Sequence, residues 1–391
     1  MASLATSLQQ INALPDNKAK LDRYQALINS LFTAQNVGDS KTLLRHILSP
    51  DTPLVLARQA LHLFAFSLDK LNNASMIEVG SLALEQISPR VTSFEEEDAK
   101  IREQLAEAFA AKRDFYSAAK TLAVINLEGS SRSISPEEKA ETYVKIAEFF
   151  IEADDNVSAE SYNSKAAMIM HLVKSVPLQL RHKTCHSRLL DAKREFLQAA
   201  RAYYALSQEG HQGVDESDLM QLLQNAVVCT ILAKAGPQRS RLLATLYKDE
   251  RTANLPTFEM LEKMFMDRIL RKPEVRKFGD TLQDHQKAML SSGFTVLDKA
   301  IIEHNMVAVS KIYNNITFEE LGALLEITPL QAEKIVATMV SEGRLQASLD
   351  ELASVVEFEN ESESLVSWDA NIAKFCQDLD RLLADIAVIS S

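Results

Sequence analysis

Glycine and proline are scarce in this sequence, with 10 of each in 391 residues, where average usage would supply roughly twice as many. A chain so short of turn residues cannot build a sandwich or barrel of many short strands, which needs punctuation every ~8–12 residues. Cysteine is nearly absent. Cys185, Cys229 and Cys376 are odd in number and far apart, which excludes a disulfide framework and fits a reducing compartment. Tryptophan occurs once. No apolar run approaches the ~18–20 residues of a membrane span. The opening MASLATSLQQINALP has neither a basic stretch nor a long apolar core, so it does not read as a secretory signal. A cytosolic or nuclear protein is expected.

Positive charge is also in deficit, with 42 Lys and Arg against 54 Asp and Glu and a net charge of -12. An acidic chain repels phosphate backbones, which argues against broad nucleic-acid binding. The hydrophobic share of 46% and charged share of 25% are those of an ordinary globular protein. The length suggests two or three domains.

What is present is helix after helix. Breaks are expected at Gly38, Pro50/Pro53, Pro89, Gly129/Pro136, Pro177, Gly210/Gly213, Gly236/Pro237, Pro256 and Pro273/Gly279. Between them apolar residues recur three and four apart, as in Ile101, Leu105, Ala108 and Phe109 before a turn at Arg113-Asp114. A helix–turn–helix unit recurs with small residues at Ala118, Ala159 and Ala199. Its period, near 40 residues, is that of tetratricopeptide-like or HEAT-like solenoids, although an ordinary bundle with similar helix lengths gives the same spacing. The fold class expected is mostly α, with an N-terminal helical-repeat solenoid.

The character changes near residue 294. Phe294, Leu297, Ala300, Ile301, Ala308 and Ile312 mark a helix. Thr317 with Glu320, and Thr328 with Pro329 and Gln331, carry the signatures of two capped helix starts. Gly322 falls inside the first of these helices, where close packing is its expected reason, and Gly343 ends the second as a left-handed residue. Strand-like pieces follow at Arg344–Leu349 and Val355–Phe358. Helix, turn, helix and hairpin make a winged helix over residues 294–360. Between Ile316 and Glu359 the module has nine acidic residues and two basic ones, Lys334 and Arg344. Its second helix presents Gln331, Lys334, Thr338 and Ser341 beside Glu333. That balance disfavours reading of DNA by this helix and favours protein partners. A short hairpin also leaves strand edges open to a neighbour. The candidate interface residues there are Arg344, Leu345, Leu349, Val355, Val356 and Phe358.

Residues 361–391 carry the most regular pattern. Leu365, Trp368, Ile372, Phe375, Leu379, Leu382, Ile386 and Ile389 alternate steps of three and four, the seam of a coiled coil or helical bundle. Such a helix folds back on its own chain or joins partner helices. A strict two-in-seven stripe suits a partner bundle better.

Residues for chemistry are thin. His182, Cys185 and His186 lie together in RHKTCH, but no CxxC or HExxH motif completes a zinc site. No GxSxG elbow and no GxxxxGK[ST] loop occurs. No catalytic residue, metal or cofactor is expected. Basic stretches at Arg181–Arg194 and Arg268–Lys277 read as solvated helix faces, or as docking patches for acidic partners.

Helical repeats, an acidic winged helix and a C-terminal amphipathic helix resemble the PCI-domain scaffold proteins. The segments Leu261–Lys272, Leu297–Ile327 and Ala332–Leu345 are similar to those of the COP-nine signalosome's PCI subunits. Glu303-His304-Asn305 and Tyr313-Asn314-Asn315-Ile316-Thr317-Phe318 are the most specific stretches. The resemblance implies a helical arm over 1–293, whose last part, about 197–293, is the helical half of the PCI domain. It also implies winged helices joined edge to edge and C-terminal helices gathered in one bundle. The implied partners are other PCI subunits and a metalloprotease subunit pair of the same complex. A cullin–RING ligase is the implied substrate of the complex, sensed through the arm, and the chain itself is implied to be non-catalytic. A PCI subunit of the proteasome lid has the same parts and remains an alternative, as, more remotely, does a winged-helix regulator of nucleic acids.

Overall fold

A computed structural model describes residues 6–8, 10–11, 17–50, 52–129, 134–209, 215–289, 293–350, 352–358, 368–369 and 371–379. The chain divides into two compact units, Met1–Leu189 and Leu190–Ser391.

The first unit is helical. Its helices are α1 (Asn17–Thr33), α2 (Val37–Ile47), α3 (Leu54–Ser67), α4 (Asn73–Ile87), α5 (Glu95–Ala111), α6 (Phe115–Ala123), α7 (Pro136–Glu152) and α8 (Asn156–Met170), followed by α9 (Val176–Ala192), which runs across the boundary. From α4 to α8 consecutive helices pack against each other, whereas α1 packs mainly on α3 and α2 on α4; there are two cores, one built on Tyr24, Phe32, Phe64 and Leu105 and the other on Val144, Ile146, Phe150 and Leu189. The recurring Ala118 and Ala159 are fully buried at the helix crossings, as small residues at a close approach must be.

The α1–α2, α5–α6 and α7–α8 turns are three residues long, each with a left-handed central residue that is not glycine. Gln35, Arg113 and Asp154 adopt left-handed φ of 53°, 61° and 59°. The next residue then donates its N–H to the carbonyl five back: Asn36 to Leu31 at 3.1 Å, Asp114 to Phe109 at 3.0 Å, Asp155 to Phe150 at 3.0 Å. That bond closes a Schellman motif. The same residue caps the following helix, its side chain accepting from the N–H of Asp39, Ser117 or Ser158. In the second unit Arg194 (φ 64°) and Glu195, bonded to Leu190 at 2.9 Å, repeat the backbone turn, and Ala199 beyond it is fully buried. The turn residues recur at the 41- and 40-residue steps of the alanines.

The second unit continues with α10 (Phe196–Gln208), α11 (Glu216–Leu232), α12 (Pro237–Tyr247), α13 (Phe258–Phe265), α14 (Lys272–Gly279) and α15 (Val296–Ser310). Then come β1 (Asn315–Thr317), α16 (Phe318–Leu325), α17 (Pro329–Ser341), β2 (Ala347–Asp350) and β3 (Val355–Phe358). The strands form one antiparallel sheet in the order β1-β3-β2. Ile316 faces Val356 across one pair, and Leu349 faces Val356 across the other. The winged helix is therefore present with a third strand that the sequence pattern does not reveal. A three-residue Asn-Ile-Thr segment is too short to show an alternating period. The first hairpin strand begins at Ala347, three residues after the expected Arg344.

Both helix starts are capped. The box expected at Thr317 is half made, with Thr317 accepting from the Glu320 N–H while the Glu320 carboxylate accepts from the Thr317 hydroxyl, and Thr328 with Gln331 makes a full capping box with Pro329 at the first position. Gly343 ends α17 with φ 66°. Gly322 meets the backbone at Ile327 and Pro329, so the close approach expected of it is to the first residue of α17 and the turn before it.

α15 belongs to two cores at once. Val296, Leu297 and Ile301 pack into the helical core with Val227, Leu243 and Leu261. Ile302, Met306 and Val309 pack into the winged-helix core with Phe318, Val336, Val356 and Phe358. A helix buried nearly all round is hydrophobic on every face, so the polar residues inside it need partners.

Candidate functional site

Those polar residues are Glu303, His304 and Asn305, each 5% exposed or less. Glu303 pairs with Arg344 through Nη1 to Oε2 at 2.5 Å and Nη2 to Oε1 at 3.3 Å. Arg344 also reaches Glu342 through Nε at 2.6 Å. The Ala235 N–H donates to Glu303 Oε2 at 3.3 Å. Asn305 accepts from the Leu270 N–H at 2.9 Å and donates to the Leu270 carbonyl at 3.0 Å, mimicking a strand pairing. His304 Nε2 meets the Arg268 carbonyl at 3.0 Å, and Arg239 Nη2 meets His304 Nδ1 at 3.1 Å. Burial, then the Arg239 charge, push the His304 pKa down to about 4. It is therefore neutral at pH 7, with Nε2 as donor and Nδ1 as acceptor. Three consecutive α15 residues thus fix the backbone at Ala235, Arg268 and Leu270 and the chain leaving α17, and with Arg239 and Arg344 they form a polar lock. The resemblance marks this triplet, and the sequence carries a second clue, since three consecutive polar residues interrupt the apolar run Ala300–Val309.

The candidate hairpin residues divide by geometry. Val356 and Phe358 are buried in the winged-helix core, Leu345 is buried beside them, and Val355 and Leu349 are half-buried. The Arg344 guanidinium is held by Glu303 and Glu342 within the chain. β3 is bonded on both sides, so the open backbone edges are those of β2 and β1. In the tail, residues 371–379 are helical, and Trp368, Ile372, Phe375 and Leu379 are 43–65% exposed. Leu365, Leu382, Ile386 and Ile389 lie outside the described residues.

Residues weighed for chemistry have structural partners. Arg181 makes a bidentate pair with Glu148 at 2.9 and 2.6 Å, and Arg188 pairs with Glu152 at 2.7 Å. His182 Nε2 meets the Asn163 carbonyl at 3.2 Å. Burial pushes the Cys185 thiol up to about 12 and Cys229 well above the ordinary thiol range, so neither supplies a thiolate at neutral pH. Among the described residues, no group of three or more His, Cys, Asp or Glu is arranged to hold a metal ion, and no helix is long and apolar enough to cross a membrane. In the second basic stretch Lys272 pairs with Glu326. On α17 Lys334, Thr338 and Ser341 are exposed.

A family profile for the PCI domain matches residues 262–360, the stretch holding α15 with its polar triplet and the winged helix, and this defines the class as a PCI-domain protein. A second profile, described as PSMD12/CSN4, N-terminal, matches residues 2–215. The chain is 43% identical over 385 residues to COP9 signalosome complex subunit 4 of Dictyostelium discoideum, covering 98% of this chain and 97% of that one. It is 42% identical to the Arabidopsis thaliana subunit over 386 residues, 97% of both chains. Identity to the Drosophila melanogaster subunit is 40%, over 97% of this chain and 93% of that one. The chain belongs to the family of COP9 signalosome subunit 4.

Proposed function

We propose that this protein is a non-catalytic scaffold subunit of a COP9 signalosome, the complex that removes the ubiquitin-like modifier from cullins and so regulates cullin–RING ubiquitin ligases. The observation that carries this reading is similarity to named signalosome subunits along nearly the whole chain. The high thiol pKa values of Cys185 and Cys229 support a role without nucleophilic chemistry. In this reading residues 1–293 are the arm, with about 197–293 its PCI helical half, 294–360 the winged helix and 361–391 the bundle helix. The arm helps sense a cullin–RING ligase. The winged helix joins neighbouring PCI subunits, and the metalloprotease pair belongs to the same complex. The free edge of β2 is the part of the hairpin suited to strand addition, with Leu345, Val356 and Phe358 holding it from beneath. The tail seam Leu365, Trp368, Ile372, Phe375, Leu379, Leu382, Ile386 and Ile389 joins partner helices, which the exposure of its four described members favours. The expected compartments are cytoplasm and nucleus, with no membrane, nucleic acid or cofactor involved.

Affinity purification of the tagged full chain, with mass spectrometry, tests the reading. Signalosome subunits are expected to co-purify, and Trp368→Asp with Phe375→Asp is expected to lose them while the chain keeps its melting temperature. Recovery of proteasome-lid subunits instead would assign the chain to the lid. An undiminished complex with the double variant would remove the tail from the interface.

A further inference from the structure

The polar lock leaves one cation unmatched. Arg239, in the first turn of α12, is 3% exposed. Its side chain makes two hydrogen bonds, Nη1 to the Ala233 carbonyl at 2.9 Å and Nη2 to His304 Nδ1 at 3.1 Å. A guanidinium has five N–H donors, and neither acceptor here carries a charge. The acids that attract it at longer range, Glu303 and Asp267, are engaged by Arg344 and Lys311. Burial brings the Arg239 pKa down to about 10, so the group stays charged at pH 7. A buried charge without a counter-ion is costly and calls for an anion.

Beside Arg239 lies a cavity of about 590 Å³ with Gly236, Ser240, Lys311, Arg344 and Asp267 in its wall. Its lining holds three cations, Arg239, Lys311 and Arg344, against one acid, Asp267. The N-terminus of the eleven-residue α12 opens on the same space, and no side chain caps it, because the cap position is Gly236. A helix N-terminus turned toward a space walled by a buried guanidinium favours a multiply charged oxyanion. The volume falls in the ~300–1,000 Å³ range of small-molecule pockets, larger than a bare phosphate requires.

We propose that this cavity binds a small phosphorylated molecule, its phosphate held by Arg239, Lys311 and the α12 N-terminus. The bound molecule touches α12, α15 and the segment leaving α17, so it braces the helical half of the second unit against the winged helix. This goes beyond the scaffold reading and does not depend on it.

The test uses the full chain with inorganic phosphate and glucose 6-phosphate as probes and sodium chloride at matched ionic strength as control. Thermal melting and phosphorus NMR line-broadening are followed as each is titrated. A saturable rise in melting temperature above the chloride control is expected, with glucose 6-phosphate binding at least as tightly as phosphate. Lys311→Glu, at a side chain 57% exposed, is expected to fold and to weaken binding at least tenfold. Arg239→Gln is expected to abolish it, and the lysine variant carries the test where the arginine variant does not fold. No saturable effect, or binding unchanged in Lys311→Glu, would overturn the proposal. So would a phosphoserine peptide that binds more tightly than either small probe, because it would assign the site to a protein partner.

Discussion

The same substitution, glycine to alanine, is expected to have opposite signs in two helices. Alanine gains about 1 kcal/mol over glycine in an open helix. At Gly38, exposed in the first turn of α2, an added Cβ would meet only Asn36 Oδ1 at 3.8 Å, an ordinary contact. Gly38→Ala should therefore stabilise the chain by about 0.5–1 kcal/mol. At Gly322 the added Cβ would lie 2.9 Å from the Ile327 carbonyl oxygen and 3.3 Å from Pro329 N. The obstacle is backbone and resists displacement. The Ile327 N–H bonds the Gly322 carbonyl at 2.9 Å, Glu326 is left-handed at φ 56°, and Thr328–Gln331 closes a capping box. Opening such a contact by roughly 0.5 Å against unyielding backbone is an overpacking step of about 2–3 kcal/mol, the upper part of the usual range. Set against the propensity gain, the net loss is about 1–2 kcal/mol. For a unit of this size that lowers its melting temperature by roughly 2–8 °C. Urea and thermal melts of both variants measure the signs, and hydrogen exchange at the Ile327 amide locates the effect. A Gly322→Ala protein as stable as wild type, or a destabilised Gly38→Ala, would refute the reasoning.

The polar lock gives a second prediction. Glu303→Ala leaves the Arg344 guanidinium only the exposed Glu342 and should cost up to about 3–5 kcal/mol, whereas Glu303→Met with Arg344→Met should lose clearly less than the two single changes combined; additive losses in a double-mutant cycle would count against a coupled pair. His304 gives a third. Its folded pKa, about 4, lies below the unfolded value near 6.5, so its contribution is fully present above pH 6.5 and is lost as pH falls from there to about 4. The decline amounts to roughly 3 kcal/mol and should flatten in His304→Gln, which pH-dependent urea melts can check. Fourth, Arg113 is exposed at φ 61°, and relief of left-handed strain makes Arg113→Gly stabilising by up to about 1 kcal/mol; a lower melting temperature would contradict this.

Much of the winged helix could be read from residues alone, because helix ends are written locally. Thr317, Thr328, Pro329 and Gly343 each satisfy a requirement that arises within a few residues of themselves. The repeat was readable for a similar reason, since Ala118, Ala159 and Ala199 answer the same crossing at the same step. Strand order was not readable. β3 is central only because Asn315–Thr317, some 40 residues earlier in the chain, pairs with its far side. That pairing turns Val356 and Phe358 from candidate edge residues into core. The role of Arg344 was hidden likewise. A lone arginine before a strand looks like a surface group until Glu303 is brought beside it across 41 residues.

The three-residue turns leave the hairpins no slack. An inserted residue at Arg113 or Asp154 would rotate the following helix by about 100° about its axis and advance it by about 1.5 Å. Ala118 or Ala159 would then leave the crossing and a larger side chain would enter it. Changes in chain length are therefore intolerable within a hairpin. They are accommodated only between hairpins, where longer connections such as residues 124–135 separate α6 from α7. Length variation among homologues should fall in register with the repeat, on alternate loops along the first unit.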